Sequence, residues 1–100
     1  MSVVQALVPM FKFQLFVAGD TPNSVEALCN LTRLCDEYLP GRHEIDVVDV
    51  FREPARALAE GIFMTPTLIR LAPSSVIRIV GTLGNAQAIF QALRLETVLP

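Results

Sequence analysis

Few residues in this chain are equipped for chemistry: two cysteines, one histidine, a hydroxyl- and amide-rich turn, and a proline turn in the second half. Cys29 and Cys35 fall within one helical pattern. At about 1.5 Å of rise per residue they are separated by roughly 9 Å along the axis, whereas a disulfide needs Cα atoms within about 7 Å. Neither sits at a helix N-terminus, where the dipole lowers a thiol pKa, so both read as buried structural thiols. His43 stands between Arg42 and Glu44 in a turn. A metal needs three or four ligands and a triad needs partners, so His43 reads as a surface residue. Asp46 and Asp49 fall on opposite faces of a strand and form no carboxylate pair. The loop Gly19–Ser24, GDTPNS, offers hydroxyls and helix N-terminal amides of the kind that hold anions. It has no Lys or Arg close in sequence and no phosphate-loop spacing, so capping is the role these residues serve. Met64-Thr65-Pro66-Thr67 places a proline just before a buried strand. There a cis X–Pro bond costs only about 0.5–1 kcal/mol. Nothing in this set is catalytic, and none of it calls for a metal or a cofactor.

The elements that must position these residues follow from periodicity. Phe11, Phe13, Leu15 and Val17 alternate with Lys12, Gln14 and Phe16, which predicts a strand covered on both sides. Pro22 suits a first helical turn and Thr21 its N-cap. Val25, Leu28, Leu31, Cys35 and Tyr38 recur at three- and four-residue steps, predicting the buried face of a helix that Pro40-Gly41 stops. Ile45–Phe51, IDVVDVF, is β-branched and nearly continuous, which predicts an interior parallel strand. Strand, helix and strand at this spacing make a right-handed βαβ unit. Pro54 opens a short helix with Ala55, Leu58 and Ala59, and Gly61 ends it. Thr67–Leu71 and Val76–Val80 read as a hairpin around Ala72-Pro73-Ser74-Ser75. Asn85 caps a last helix with Ile89, Ala92 and Leu93 facing inward. The order βαβαββα is that of the thioredoxin fold, an α/β domain over residues 11–100 preceded by a loose lead over residues 1–10. In that fold the first strand-to-helix turn carries the redox cysteines. Here it carries Thr21, Pro22, Asn23 and Ser24.

Composition narrows the function classes. One hundred residues form one domain with a core of its own. Hydrophobic residues make up 52% and charged residues 18%, so an exposed apolar patch used by a partner is expected. The formal charge is -2, Lys12 is the only lysine and the arginines are scattered, which removes the footprint of a nucleic-acid binder. The apolar start lacks a cationic flank, is interrupted by Pro9 and is broken by Lys12 and Gln14, too short for a membrane span. A cytoplasmic protein is expected.

FVAGDTPNSVEAL, IDVVDVFREPARALAEG and MTPTLIRLAPSSVIRIVGTLGN resemble the KaiB family of small clock proteins, without apparent gaps from about Phe11 to Glu96. The resemblance implies a non-enzymatic binding protein that docks on a KaiC-like ATPase, captures KaiA in clock organisms, and displaces a sensor histidine kinase bearing a related thioredoxin-like module. It also implies fold switching between a thioredoxin-like form and a tetramer with a rearranged C-terminal half. On this resemblance Arg52, Arg56, Glu60, Gly61, Arg70 and Arg78 are the candidate partner-binding residues, and Pro66, Gly81, Thr82, Ala92 and Arg94 the candidate determinants of the fold switch.

Several positions depart from the family pattern. Gly61 stands for a lysine, Ile77 for one of a pair of arginines, and Thr82 for an aspartate, while a triple proline is reduced to Pro73. Ala92-Leu93-Arg94 replaces the usual Gly-Leu-Asp. Gly to Ala favours a helix by about 0.8–1 kcal/mol, and Asp to Arg near a helix C-terminus adds roughly 0.3–1 kcal/mol. Together they predict a resting thioredoxin-like form, with helix rather than strand over residues 85–96, as a monomer or dimer rather than a tetramer. Two rivals remain: a thioredoxin-like sensory module of a histidine-kinase pathway, and a degenerate redox or glutathione-binding relative, against which the cysteine-free TPNS turn argues.

Overall fold

The computed structural model describes residues 9–94. Its elements are β1 (Phe11–Val17), α1 (Pro22–Tyr38), β2 (His43–Asp49), α2 (Pro54–Ala59), β3 (Thr67–Ala72), β4 (Ile77–Val80) and α3 (Ala86–Leu93). The strands form one sheet in the order β2-β1-β3-β4. β1 runs parallel to β2, with Phe13 opposite Ile45 and Leu15 opposite Val47. It runs antiparallel to β3, with Leu15 opposite Leu68, and β3 continues antiparallel into β4 with Leu68 opposite Ile79. This is the βαβαββα order expected from the sequence. The expected lead over residues 1–10 falls mostly outside the described residues, as do residues 95–96 of the expected last helix.

Two layers of side chains cover the sheet. Phe13, Leu15, Leu68 and Ile79 meet Ala27, Leu31, Leu34 and Cys35 of α1 and Ala88 and Ala92 of α3 on one face. Phe16, Val48 and Ile69 meet Ala57 of α2 on the other. Because successive side chains of a strand point to opposite faces, β1 supplies phenylalanines to both layers. Like β3, whose Leu68 and Ile69 enter opposite layers, it is buried on both sides, as its sequence predicts.

Three expectations need correction. β2 is not interior: it is an edge, with Glu44, Asp46 and Val47 exposed and Val48 fully buried. Its β-branched run favours extended backbone at an edge as well as inside, and the two carboxylates protect that edge from pairing with another chain. The buried stripe of α1 is also turned from the expected one, to Ser24, Ala27, Leu31, Leu34 and Cys35, leaving Val25 and Tyr38 47% and 50% exposed. Ser24 turns inward with this stripe, and its oxygen accepts the Ala18 amide at the end of β1. Cys29 therefore lies on the solvent side, while Cys35 is buried as expected. The last helix forms over Ala86–Leu93 and ends there, with Arg94 extended rather than helical, while the Asn85 side chain accepts from the Ala88 amide at 2.7 Å, as its N-cap expectation requires.

Burial first, and the nearby Asp36 carboxylate second, push the Cys35 thiol from its ordinary 9.0 up to about 11. Between these values the folded chain keeps a proton that the unfolded chain has lost. This contribution is complete below about pH 9 and is lost as pH rises toward 11, a change of order 2–3 kcal/mol. Urea unfolding from pH 8 to 10.5 should show the wild-type protein losing stability faster than Cys35→Ala. Parallel pH profiles for the two proteins would contradict the assignment.

Candidate functional site

The turn between β1 and α1 is built from side-chain oxygens. Ser24 is 1% exposed. Its Oγ accepts the Ala18 amide at 3.0 Å and the Thr21 hydroxyl at 2.9 Å. Thr21 occupies the N-cap position, but its side chain makes no capping bond to the helix; its hydroxyl is directed to Ser24 instead. Thr21 and Ser24 thus hold the two ends of the Thr-Pro-Asn-Ser segment together through a hydrogen bond. Asp49 ties this turn to the next one, since its Oδ1 accepts from the amides of Gly19 at 3.3 Å and Phe51 at 2.9 Å. The Thr65–Pro66 bond is cis. The Pro66 carbonyl accepts the Gly81 amide at 3.0 Å, and the Thr67 hydroxyl donates to the Met64 carbonyl at 2.6 Å.

His43 is not a surface turn residue as expected: it opens β2 and is half-buried, with Nδ1 2.7 Å from the Leu39 carbonyl. A carbonyl only accepts, so Nδ1 carries the hydrogen. Among the described residues no three His, Cys, Asp or Glu side chains lie close enough to hold a metal ion. No helix among them is long and apolar enough to cross a membrane.

The candidate binding residues do not act as one group. Arg52 is exposed beside Asp20, Asp49 and Glu53, and makes no ion pair or side-chain hydrogen bond among the described residues. Arg56 is held by Asp46 at 2.6 Å and Glu53 at 3.2 Å, and these bonds, Asp46 first, raise its pKa. Arg78 reaches from β4 to the carbonyls of Glu60 at 2.7 Å and Gly61 at 3.2 Å. It therefore closes the C-terminus of α2, where Gly61 supplies the left-handed backbone (φ 65°) that ends the helix. Arg70 does not belong among the exposed cations. It is 0% exposed, and its guanidinium donates to the carbonyls of Ala92, Arg94 and Ser75. A strand charge that reads as solvated is satisfied from a helix 22 residues away.

Among the fold-switch candidates, Gly81 has φ 121°, open only to glycine without strain. The Thr82 carbonyl accepts Asn30 Nδ2 at 2.8 Å, Ala92 is fully buried, and Arg94 follows the last helical residue. Sequence reasoning did not single out the apolar side chains around α2. Phe63 is 92% exposed and Leu58 80%, with Phe51 and Met64 also largely in solvent. One signal was present: Phe63-Met64 lies between a helix stop and the proline turn, where neither period gives an apolar pair a buried face.

A family model for the KaiB domain matches residues 14–95. The chain belongs to the KaiB family. The circadian clock oscillator protein KaiB of Thermosynechococcus vestitus is 38% identical over 85 residues, 85% of this chain and 79% of that one. The circadian clock protein KaiB3 of Synechocystis is 34% identical over 80 residues, 80% of this chain and 78% of that one. Two solved structures share the architecture. The N-terminal domain of Synechococcus elongatus SasA has a TM-score of 0.71 at 20% identity, covering 95% of this chain and 94% of that one. Chloroplastic thioredoxin z has 0.68 at 17%, covering 92% and 90%. At such identities these two establish the thioredoxin-like fold alone. In this KaiB-family chain the segment Ala86–Leu93 is helical, and Ala92 is inside that helix.

Ser24→Ala leaves the Ala18 amide without its acceptor in a buried turn. It should cost about 1–3 kcal/mol in urea unfolding, and Thr21→Val less, because the Ser24–Ala18 bond survives. A Ser24→Ala variant as stable as wild type would mean that the turn does not depend on this oxygen. For the thiols, maleimide should label the native protein at Cys29 and leave Cys35 unmodified until unfolding, as peptide mass mapping would show.

Proposed function

We propose that this protein is a non-enzymatic regulator that binds a KaiC-type ATPase in the cytoplasm, in circadian timing or a related signalling pathway, without a cofactor. The observation that carries the reading is membership of a family whose members are named circadian clock oscillator proteins, in a chain that displays apolar side chains around α2. Arg52, Glu60 and Gly61, with Phe51, Leu58, Phe63 and Met64, form the proposed contact region. Exposed apolar groups of this size mark interaction surfaces, and aromatic anchors carry a large share of interface energy. Arg56 and Arg78 border the region, but each would first have to leave its present partners. Arg70, fully buried in this form, is left out of the proposed surface.

KaiA or a sensor histidine kinase are the further partners this reading admits. The helix at Ala86–Leu93 supports a resting thioredoxin-like form, which we propose to be monomeric or dimeric. Pro66, Gly81, Thr82, Ala92 and Arg94 are the proposed determinants of whether the rearranged tetramer forms. A thioredoxin-like sensory module is the second reading, supported by the shared architecture with SasA. An insulin-reduction assay separates both from a redox relative.

Titration of a KaiC-type ATPase from the same genome, followed by fluorescence anisotropy, tests the reading. Saturable binding is expected, weakened tenfold or more (about 1.4 kcal/mol) by Phe63→Ala or Leu58→Ala. Arg52→Ala should mainly slow association and reduce its salt dependence. Failure of the folded wild-type protein to bind defeats the proposed function. Binding unchanged by all three substitutions defeats the proposed surface.

A further inference from the structure

Arg70 is the largest side chain fully buried in the described structure. Its place in β3, with Phe13 and Ile77 as cross-strand neighbours, puts it on the face of the sheet that α3 covers. Nη1 donates to the Ala92 carbonyl at 3.3 Å and to the Arg94 carbonyl, Nη2 donates to the Ser75 carbonyl at 3.3 Å, and the guanidinium carbon lies 5.9 Å from the centre of the Phe11 ring. The final carbonyls of any α-helix lack partners within the helix, and a cation there complements the dipole. A helix as short as the eight residues of α3 does not hold together in water on its own propensity. Arg70 therefore grips the end of an element that depends on docking. The planar fork lets one side chain hold α3 and the turn of the β3–β4 hairpin at once.

We infer that Arg70 is a latch that fastens the C-terminal turn of α3 to the β3–β4 hairpin, so that α3 leaves the sheet only when this guanidinium is withdrawn. The inference does not depend on which partner the protein binds. Its consequence is specific. Loss of the fork frees two places together, the last turn of α3 and the hairpin turn at Ser75, while β1 and α1 keep their own packing. Removing the N-cap, by contrast, loosens α3 alone, because Asn85 bonds only the first turn of that helix.

Residue-resolved amide hydrogen exchange on Arg70→Gln, Arg70→Lys and Asn85→Ala tests this. In Arg70→Gln, exchange should rise tenfold or more over α3 and at the hairpin turn, with Leu15 and Leu31 unchanged. Arg70→Lys keeps the charge but not the fork and should show a smaller rise at the same two places. Asn85→Ala should raise exchange in α3 without the hairpin. The inference is overturned if α3 and the hairpin are unaffected in Arg70→Gln, or if they rise only in step with Leu15 and Leu31. It is also overturned if neither Arg70 variant folds, since Arg70 would then be a requirement of the whole core.

Discussion

The structure depends on the double burial of β1. This strand is paired along both edges and covered on both faces, so β2, β3 and the helices are placed by how they meet it, and β4 follows through β3. α1 and α3 need Phe13 and Leu15 on one face, and α2 needs Phe16 on the other. A one-residue slip would exchange these faces and put each helix against the wrong side chains. The turn leaving β1 is correspondingly fixed. The Ala18 amide is bonded to Ser24, the Gly19 amide to Asp49, and the Val17 carbonyl accepts from Val50.

Much of this was legible in the residues, because β1, the hairpin and the last helix announce themselves by period and by their end residues. Two of the readings that failed share one cause: a polar group satisfied from a distance. Ser24 reads as a cap, yet it is buried as an acceptor for the preceding strand, and the helix phase turns with it. That turn exposes Val25, Cys29 and Tyr38. Arg70 reads as a surface charge in a short strand, yet its acceptors are carbonyls at the end of a helix far along the chain. β2 reads as interior because β-branched residues favour strands everywhere. The distinction lay in Glu44 and Asp46, which an interior strand would have to leave unsolvated.

The first turn shows what a thioredoxin-like frame does when hydroxyls stand in place of thiols. Two sulfurs in such a turn can exchange between a bond and none. Thr21 and Ser24 instead share a hydrogen bond, and Ser24 also accepts from the backbone. The same geometry that would make a thiol reactive at a helix start here fixes the path of the chain. The proline turn at Pro66 is tied through Gly81 to the far end of β4, so it too closes structure.

The allocation of arginines has a consequence for binding. Arg70 and Arg78 project from opposite faces of the β3–β4 hairpin, and each holds carbonyls at the end of a helix, α3 for Arg70 and α2 for Arg78. Arg56 is occupied by two carboxylates. Of the four arginines that resemble a cationic docking set, Arg52 alone makes no side-chain bond among the described residues. A partner recognised mainly by charge would have to compete with these internal bonds, and exposed ion pairs return little for the exchange. Phe51, Leu58, Phe63 and Met64 face no such competition, because they are already in water and gain by leaving it. On the proposed reading, affinity for the ATPase therefore comes chiefly from apolar contact around α2, and the hairpin arginines contribute by keeping α2 and α3 in place.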